Sequence, residues 1–126
     1  MNNIIKSIEI NIESSKKDLE SIHTKRETVY PLTRQIIHLC SAAIKNAHRK
    51  EYEESSKLVN QAKLLIDTIN NESIENTPIM SSGYVLDAQK EFTEANVALA
   101  FLTNKEIPSP HDLSVQISPY LNGIAE

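Results

Sequence analysis

Apolar residues recur along most of this chain at intervals of three and four, the repeat of an α-helix. The spacing predicts a first helix from about Asn3 to Ile22, with Ile4, Ile5, Ile8, Ile12, Leu19 and Ile22 in approximate register. The Ser14–Ser15 pair marks a point of weakness or bending in it. A second helix, from about Lys25 to His48, carries an apolar stripe of Val29, Leu32, Ile36, Ile37, Cys40, Ala43, Ile44 and Ala47. Pro31 is a breaker inside that stretch and predicts a kink or a late start. A third helix runs from about Glu51 to Ile69, with Tyr52, Ser55, Val59, Ala62, Leu65, Ile66 and Ile69 facing inward. Its acidic first turn, Glu51, Glu53 and Glu54, suits the positive end of a helix dipole. The Arg49–Lys50 connection is so short that the second and third helices form an antiparallel hairpin. Residues Asn70 to Pro78 read as a polar linker. A fourth helix starts near Ser81 or Ser82 and is continuous from Gly83 to Leu102.

Beyond it, Pro108 and Pro110 force an extended turn. Ser109 to Leu113 reads as a short helical turn. Ser118-Pro119-Tyr120 reads as the start of a fifth helix, with Ser as N-cap and Pro at the first position. The given sequence stops soon afterwards at Glu126. The expectation is one helical domain over residues 1–126, incomplete at its C-terminus.

Composition agrees with an all-α protein. The 126 residues include only two glycines and no tryptophan, too few for a turn-rich β fold. A formal charge of −4 provides no global basic field, so any nucleic acid must bind a local patch. The single cysteine, Cys40, excludes an internal disulfide framework and, on an apolar helix face, reads as a small buried hydrophobe. No signal peptide stands out and no apolar window approaches the roughly 20 residues of a membrane span. A cytoplasmic location is the expectation, with no membrane partner.

The candidate chemistry lies in the fourth helix. At roughly 100° per residue, Tyr84, Ala88, Phe92, Ala95, Ala98, Leu99 and Leu102 gather on one side. Glu91 falls within that arc, Glu94 and Asp87 lie at its edge, and Gln89, Lys90, Thr93 and Asn96 take the opposite side. A carboxylate is seldom placed on a core face without compensation, because its desolvation is costly. Three residues apart on a helix, Glu91 and Glu94 can point at one spot, where two bare carboxylates repel. A divalent cation such as Mg²⁺ relieves that conflict. An ion pair with a neighbouring helix, or simple exposure after a small rotation of the wheel, does so equally.

Basic residues collect on the second helix and its end: Lys25, Arg26, Arg34, Lys45, His48, Arg49 and Lys50. They read either as a solvated helix terminus or as phosphate contacts. The four histidines show no shared zinc spacing. No nucleophile elbow and no glycine-rich phosphate loop is present.

Three places in the chain together resemble the translin superfamily, in particular its archaeal single-subunit members and translin-associated factor X. The first is Lys25-Arg26-Glu27, Arg34, Ile36-Ile37, Ile44 and His48-Arg49. The second is Ser82-Gly83-Tyr84 leading to Glu91-Phe92-Thr93-Glu94-Ala95. The third is Pro108-Ser109-Pro110 followed by Tyr120-Leu121-Asn122-Gly123-Ile124-Ala125-Glu126. The match spans roughly residues 20 to 126, and the last two motifs are the specific ones. The resemblance implies an antiparallel helical bundle assembling into closed homo-oligomers, commonly octamers, that bind single-stranded RNA or DNA. It implies a Mg²⁺-dependent endoribonuclease site in which Glu91, Glu94 and Glu126 are catalytic and metal-binding. Arg26, Arg34, His48 and Arg49 become the expected nucleic-acid contacts. Two departures stand against activity. Glu126 replaces the family's usual aspartate, and a further acidic residue that the family carries one turn later lies beyond the given sequence. A non-catalytic nucleic-acid-binding or assembly subunit is the alternative.

Overall fold

The structure is a computed structural model and describes residues 2–72 and 78–126. Its elements, in order, are α1 (Asn2–His48), α2 (Tyr52–Glu72), a short 3-10 turn (Pro78–Ser81), α3 (Gly83–Leu102), α4 (Pro110–Leu113) and α5 (Ile117–Ala125). The described residues contain no strand.

The two N-terminal helices expected from the sequence are one. α1 passes without interruption through Ile22–Lys25 and through Pro31. Proline costs an internal helix one N–H donor, yet the helix continues through it, with threonine hydroxyls bonded to carbonyls on either side. Thr28 donates its hydroxyl to the Thr24 carbonyl at 3.1 Å and Thr33 to the Tyr30 carbonyl at 2.7 Å. Only the C-terminal half of α1 enters the core, through Val29, Thr33, Ile36, Cys40, Ala43 and Ala47.

The hairpin between α1 and α2 is as short as expected. Lys50 adopts a left-handed φ of 64°, its N–H bonds to the Ala47 carbonyl, and the Glu51 N–H reaches Asn46 at 2.8 Å. This double closure is a Schellman end, which satisfies carbonyls that a helix terminus leaves open. Ser55, buried on α2, donates to the Ala43 carbonyl of α1 at 2.8 Å, so the polar atom enters the core already paired. α2 extends past Ile69 to Glu72; the rest of the expected linker, residues 73–77, lies outside the described residues.

α3 packs on both α1 and α2, and Phe92, Ile36, Ile66 and Ile79 form the bulk of the shared core. Its buried face differs from the one drawn from the wheel. Val85, Ala88, Phe92 and Ala95 are buried, but so are Gln89 and Thr93. α5 covers that second face. Thr93 donates back to the Gln89 carbonyl at 2.9 Å, and the Gln89 side chain accepts from the Gln116 N–H at 2.9 Å. Gln116 in turn donates to the Met80 carbonyl at 2.7 Å. α5 begins at Ile117, with Gln116 as its N-cap residue, earlier than the Ser118 cap expected from the sequence, and this network ties its start to α3 and to Met80.

Ser109 to Leu113 forms the expected helical turn, closed by a capping box in which Ser109 and Asp112 each accept from the other's backbone N–H at 3.0 Å. Those hydrogen bonds hold the Asp112 carboxyl below the ordinary carboxylate range. Tyr120 then donates its hydroxyl to the Pro108 carbonyl at 2.7 Å, tying α5 to the preceding turn. Among the described residues, no helix is long and apolar enough to cross a membrane.

Candidate metal centre

Glu91 and Glu94 lie three residues apart on α3, so their carboxylates share one flank of the helix. Glu126 follows the last residue of α5 as its C-cap. The packing of α5 on α3 brings it to the same place. One carboxylate oxygen each from Glu91, Glu94 and Glu126 all lie within 4.8 Å of one another.

Gly123 sets how near α5 can come. A Cβ built there would lie 2.8 Å from the Lys90 carbonyl oxygen and 2.8 Å from the Thr93 Cβ. Any side chain would push α5 outward and take Glu126 with it. The close approach therefore rests on a missing side chain, and φ at this glycine is unremarkable for a helix.

Two side chains outside the expected set complete the surroundings. Lys90 places its ammonium 3.2 Å from Glu126 Oε1 and 3.9 Å from Glu91 Oε1. The hydrogen bond to Glu126 and the nearby negative charge hold its pKa above the usual lysine value. Cys40 approaches from α1. Burial, reinforced by the charges of Glu91 and Glu94, pushes its thiol up to about 12. Its burial suits the small buried hydrophobe expected from the sequence.

The three carboxylates are not in a sealed core. Glu91 keeps 27% of its side-chain surface and Glu126 keeps 50%. Glu91 thus sits at the margin of the buried face, where a ligand from solvent can reach it. Burial raises the Glu94 pKa first; the charges of Glu91 and Glu126 and a hydrogen bond with Glu126 raise it further, against a smaller opposing pull from Lys90. Three carboxylates against one ammonium leave a net surplus of negative charge, the condition that favours a cation.

The donor set fits Mg²⁺. All three groups offer hard carboxylate oxygens, the donor type that Mg²⁺ takes, and Glu126 is half exposed, so water can reach the cluster.

The expected nucleic-acid contacts are distributed differently. Arg26, Arg34, His48 and Arg49 are all exposed, and none takes part in an ion pair among the described residues. They do not form one patch: Arg26 and His48 lie roughly 33 Å apart along α1 at 1.5 Å per residue. Arg26 does line a hollow of about 440 Å³ together with His23, Glu27, Tyr30, Pro31 and Tyr84. Tyr30 is exposed and meets Tyr84 edge to face, with ring centroids 5.4 Å apart. Tyr30 and Lys90 were not legible as site residues in the sequence. Their neighbours in space come from other elements or from the far side of a helix turn.

No protein-family model and no curated protein sequence matches the chain. Among solved structures, the crystal structure of apo-NeC3PO is similar to it with a TM-score of 0.79 at 21% sequence identity, over 92% of this chain. This chain covers 61% of that one. The likeness shows the fold, an all-α translin-like helical bundle.

Proposed function

We propose that this chain binds single-stranded RNA or DNA and carries a Mg²⁺-dependent endoribonuclease centre formed by Glu91, Glu94 and Glu126. The observation that supports this most is the convergence of three carboxylates, two from α3 and one from the end of α5, on a translin-like fold. The same three positions are those that the resemblance of the sequence motifs implies.

Glu91, Glu94 and Glu126 would hold the ion through one oxygen each. Bound there, Mg²⁺ supplies a polarised water and charge stabilisation for phosphodiester hydrolysis. Lys90 pairs with Glu126, and with Mg²⁺ bound its ammonium would lie beside the site, where it could meet a phosphate. The buried Gln89–Gln116 contact keeps α5, and with it Glu126, in register. Strand binding rests on Arg26, Arg34, His48 and Arg49, with Tyr30 next to Arg26 offering an exposed ring for base stacking. A protein of this kind works as a homo-oligomer, octamer-like by the resemblance, in the cytoplasm.

A labelled single-stranded RNA incubated with Mg²⁺ tests the proposal. Cleavage is expected, and Glu91→Gln combined with Glu94→Gln is expected to abolish it while the helical content stays unchanged. Cleavage that survives the double substitution defeats the site assignment.

One observation favours a second reading, a binding or assembly subunit without catalysis. Lys90 already serves as an internal counter-ion for Glu126. Such a subunit binds RNA equally well in EDTA and never cleaves it; stable oligomers with no RNA affinity at low salt mark assembly alone.

A further inference from the structure

Among the described residues, Lys90 is the basic side chain that pairs with the carboxylate cluster. Its ammonium stands 3.2 Å from Glu126 Oε1 and 3.9 Å from Glu91 Oε1. It thus links a carboxylate at the end of α5 to one on α3, the task that a shared cation would have. The other ion pairs among the described residues, His23–Glu27 and Lys63–Asp67, lie within α1 and within α2. Lys90 is not a loose surface lysine either. Its side chain keeps 26% of its surface, so most of the stem is packed and the ammonium is held where it stands. The contact depends on tertiary structure, because Glu126 lies 36 residues away and reaches Lys90 through the packing of α5 on α3.

We infer that Lys90 is a tethered counter-ion that competes with a divalent cation for Glu126 and so sets how tightly the carboxylates of α3 and α5 hold metal. The inference rests on the proposed metal centre. Two physical effects point the same way. The hydrogen bond from Lys90 occupies Glu126 Oε1, so that oxygen has to leave an ammonium before it can serve another cation. While the ammonium stays among these oxygens, its charge repels a second cation there. Unlike a dissolved ion, Lys90 cannot be diluted away: it is the residue next to Glu91 on α3. The contrary role is a clamp, in which Lys90 holds Glu126 in place for the ion. The fold does not need one. α5 is fixed on α3 by the close approach at Gly123 and by the Gln89–Gln116 hydrogen bond, so Glu126 stays near the pair without help from Lys90. Competitor and clamp differ in sign: removing the ammonium strengthens metal binding in the first case and weakens it in the second.

Binding of Mn²⁺, a cation that takes the same oxygen donors, tests this without any substrate, with free Mn²⁺ counted by electron paramagnetic resonance. Lys90→Met keeps the stem and removes the charge. It is expected to raise Mn²⁺ affinity about fivefold, the size of one well-ordered ion pair. Lys90→Arg keeps the charge and should stay near the parent value. In a Glu126→Gln chain, Lys90→Met should gain much less, because the contested carboxylate is gone. Without metal, Lys90→Met should melt lower than the parent, and it should gain more on adding Mn²⁺. A lysine with only a structural role would lower the melting temperature and leave affinity unmoved. Circular dichroism checks folding, and Lys90→Gln repeats the measurement with a second uncharged side chain. If both chains bind Mn²⁺ through Glu91 and Glu94, yet Lys90→Met and Lys90→Gln bind no more tightly than the parent, the inference is overturned and the metal centre stands. If no chain binds Mn²⁺, or if binding survives Glu91→Gln with Glu94→Gln, the metal centre fails and takes the inference with it.

Discussion

At the level of single residues, the candidate centre depends on Gly123 and on the balance of charge around Glu94. A methyl group at Gly123 meets backbone and a β-branched side chain at 2.8 Å, and neither can rotate away. Gly123→Ala is expected to destabilise the fold by about 1–3 kcal/mol, the usual cost of overpacking, as read by chemical denaturation. It should also weaken any Mg²⁺-induced rise in melting temperature, because Glu126 moves with α5. Glu94 supports a pH-dependent prediction. Its pKa is raised in the fold, so ionised Glu94 destabilises the metal-free chain and protonated Glu94 does not. Glu94→Gln should therefore match the parent chain below the ordinary glutamate range. Its advantage should grow as pH rises through that range to the raised pKa and hold above it. On the proposed site, saturating Mg²⁺ should reverse the order, because only the parent keeps all three proposed ligands. Thermal melts across pH, with and without Mg²⁺, measure both effects. Two glutamates three apart are visible as an oddity in the sequence; the third carboxylate comes from the motif resemblance, and Lys90 from neither.

Among the elements, the end of α1 carries a correctable strain. Lys50 sits at φ 64°, where a side chain costs energy and glycine does not. Lys50→Gly should stabilise the chain by about 0.5–1 kcal/mol in denaturant titrations, with no change in Mg²⁺ response. The length of α1 was misjudged because serines, a threonine and Pro31 look like boundaries locally. The packing of residues 29–47 against α2 and α3 carries the helix through Pro31 instead. α5 also starts before its local signal: Ser118-Pro119 has the chemistry of a cap, but the helix begins at Ile117, next to a Gln116 held by Gln89 from a helix far away in sequence.

For the whole molecule, the net charge of −4 and the spread of arginines along α1 predict weak, steeply salt-dependent binding of single strands by one protomer. Arg26→Ala with Arg34→Ala should lower RNA affinity and flatten its salt dependence, measured by fluorescence anisotropy at several salt concentrations. If the proposed function holds, EDTA should abolish cleavage and leave binding in place, which would separate the proposed strand contacts on α1 from the carboxylates of α3 and α5.

The sequence by itself determined that the protein is helical, where most helices lie, which carboxylates were out of place and that Cys40 faces the core. These are local properties: periodicity, propensity and the cost of burying charge act over a few turns. Tertiary structure decided what local patterns cannot. It turned Gln89 and Thr93 from a presumed solvent face into a buried one, because α5 covers them. It set Lys90 between two glutamates, and through the bare backbone of Gly123 it carried Glu126 to the pair on α3. Residues separated by more than thirty positions meet only when helices pack, and packing distance is set by the smallest side chain at the crossing.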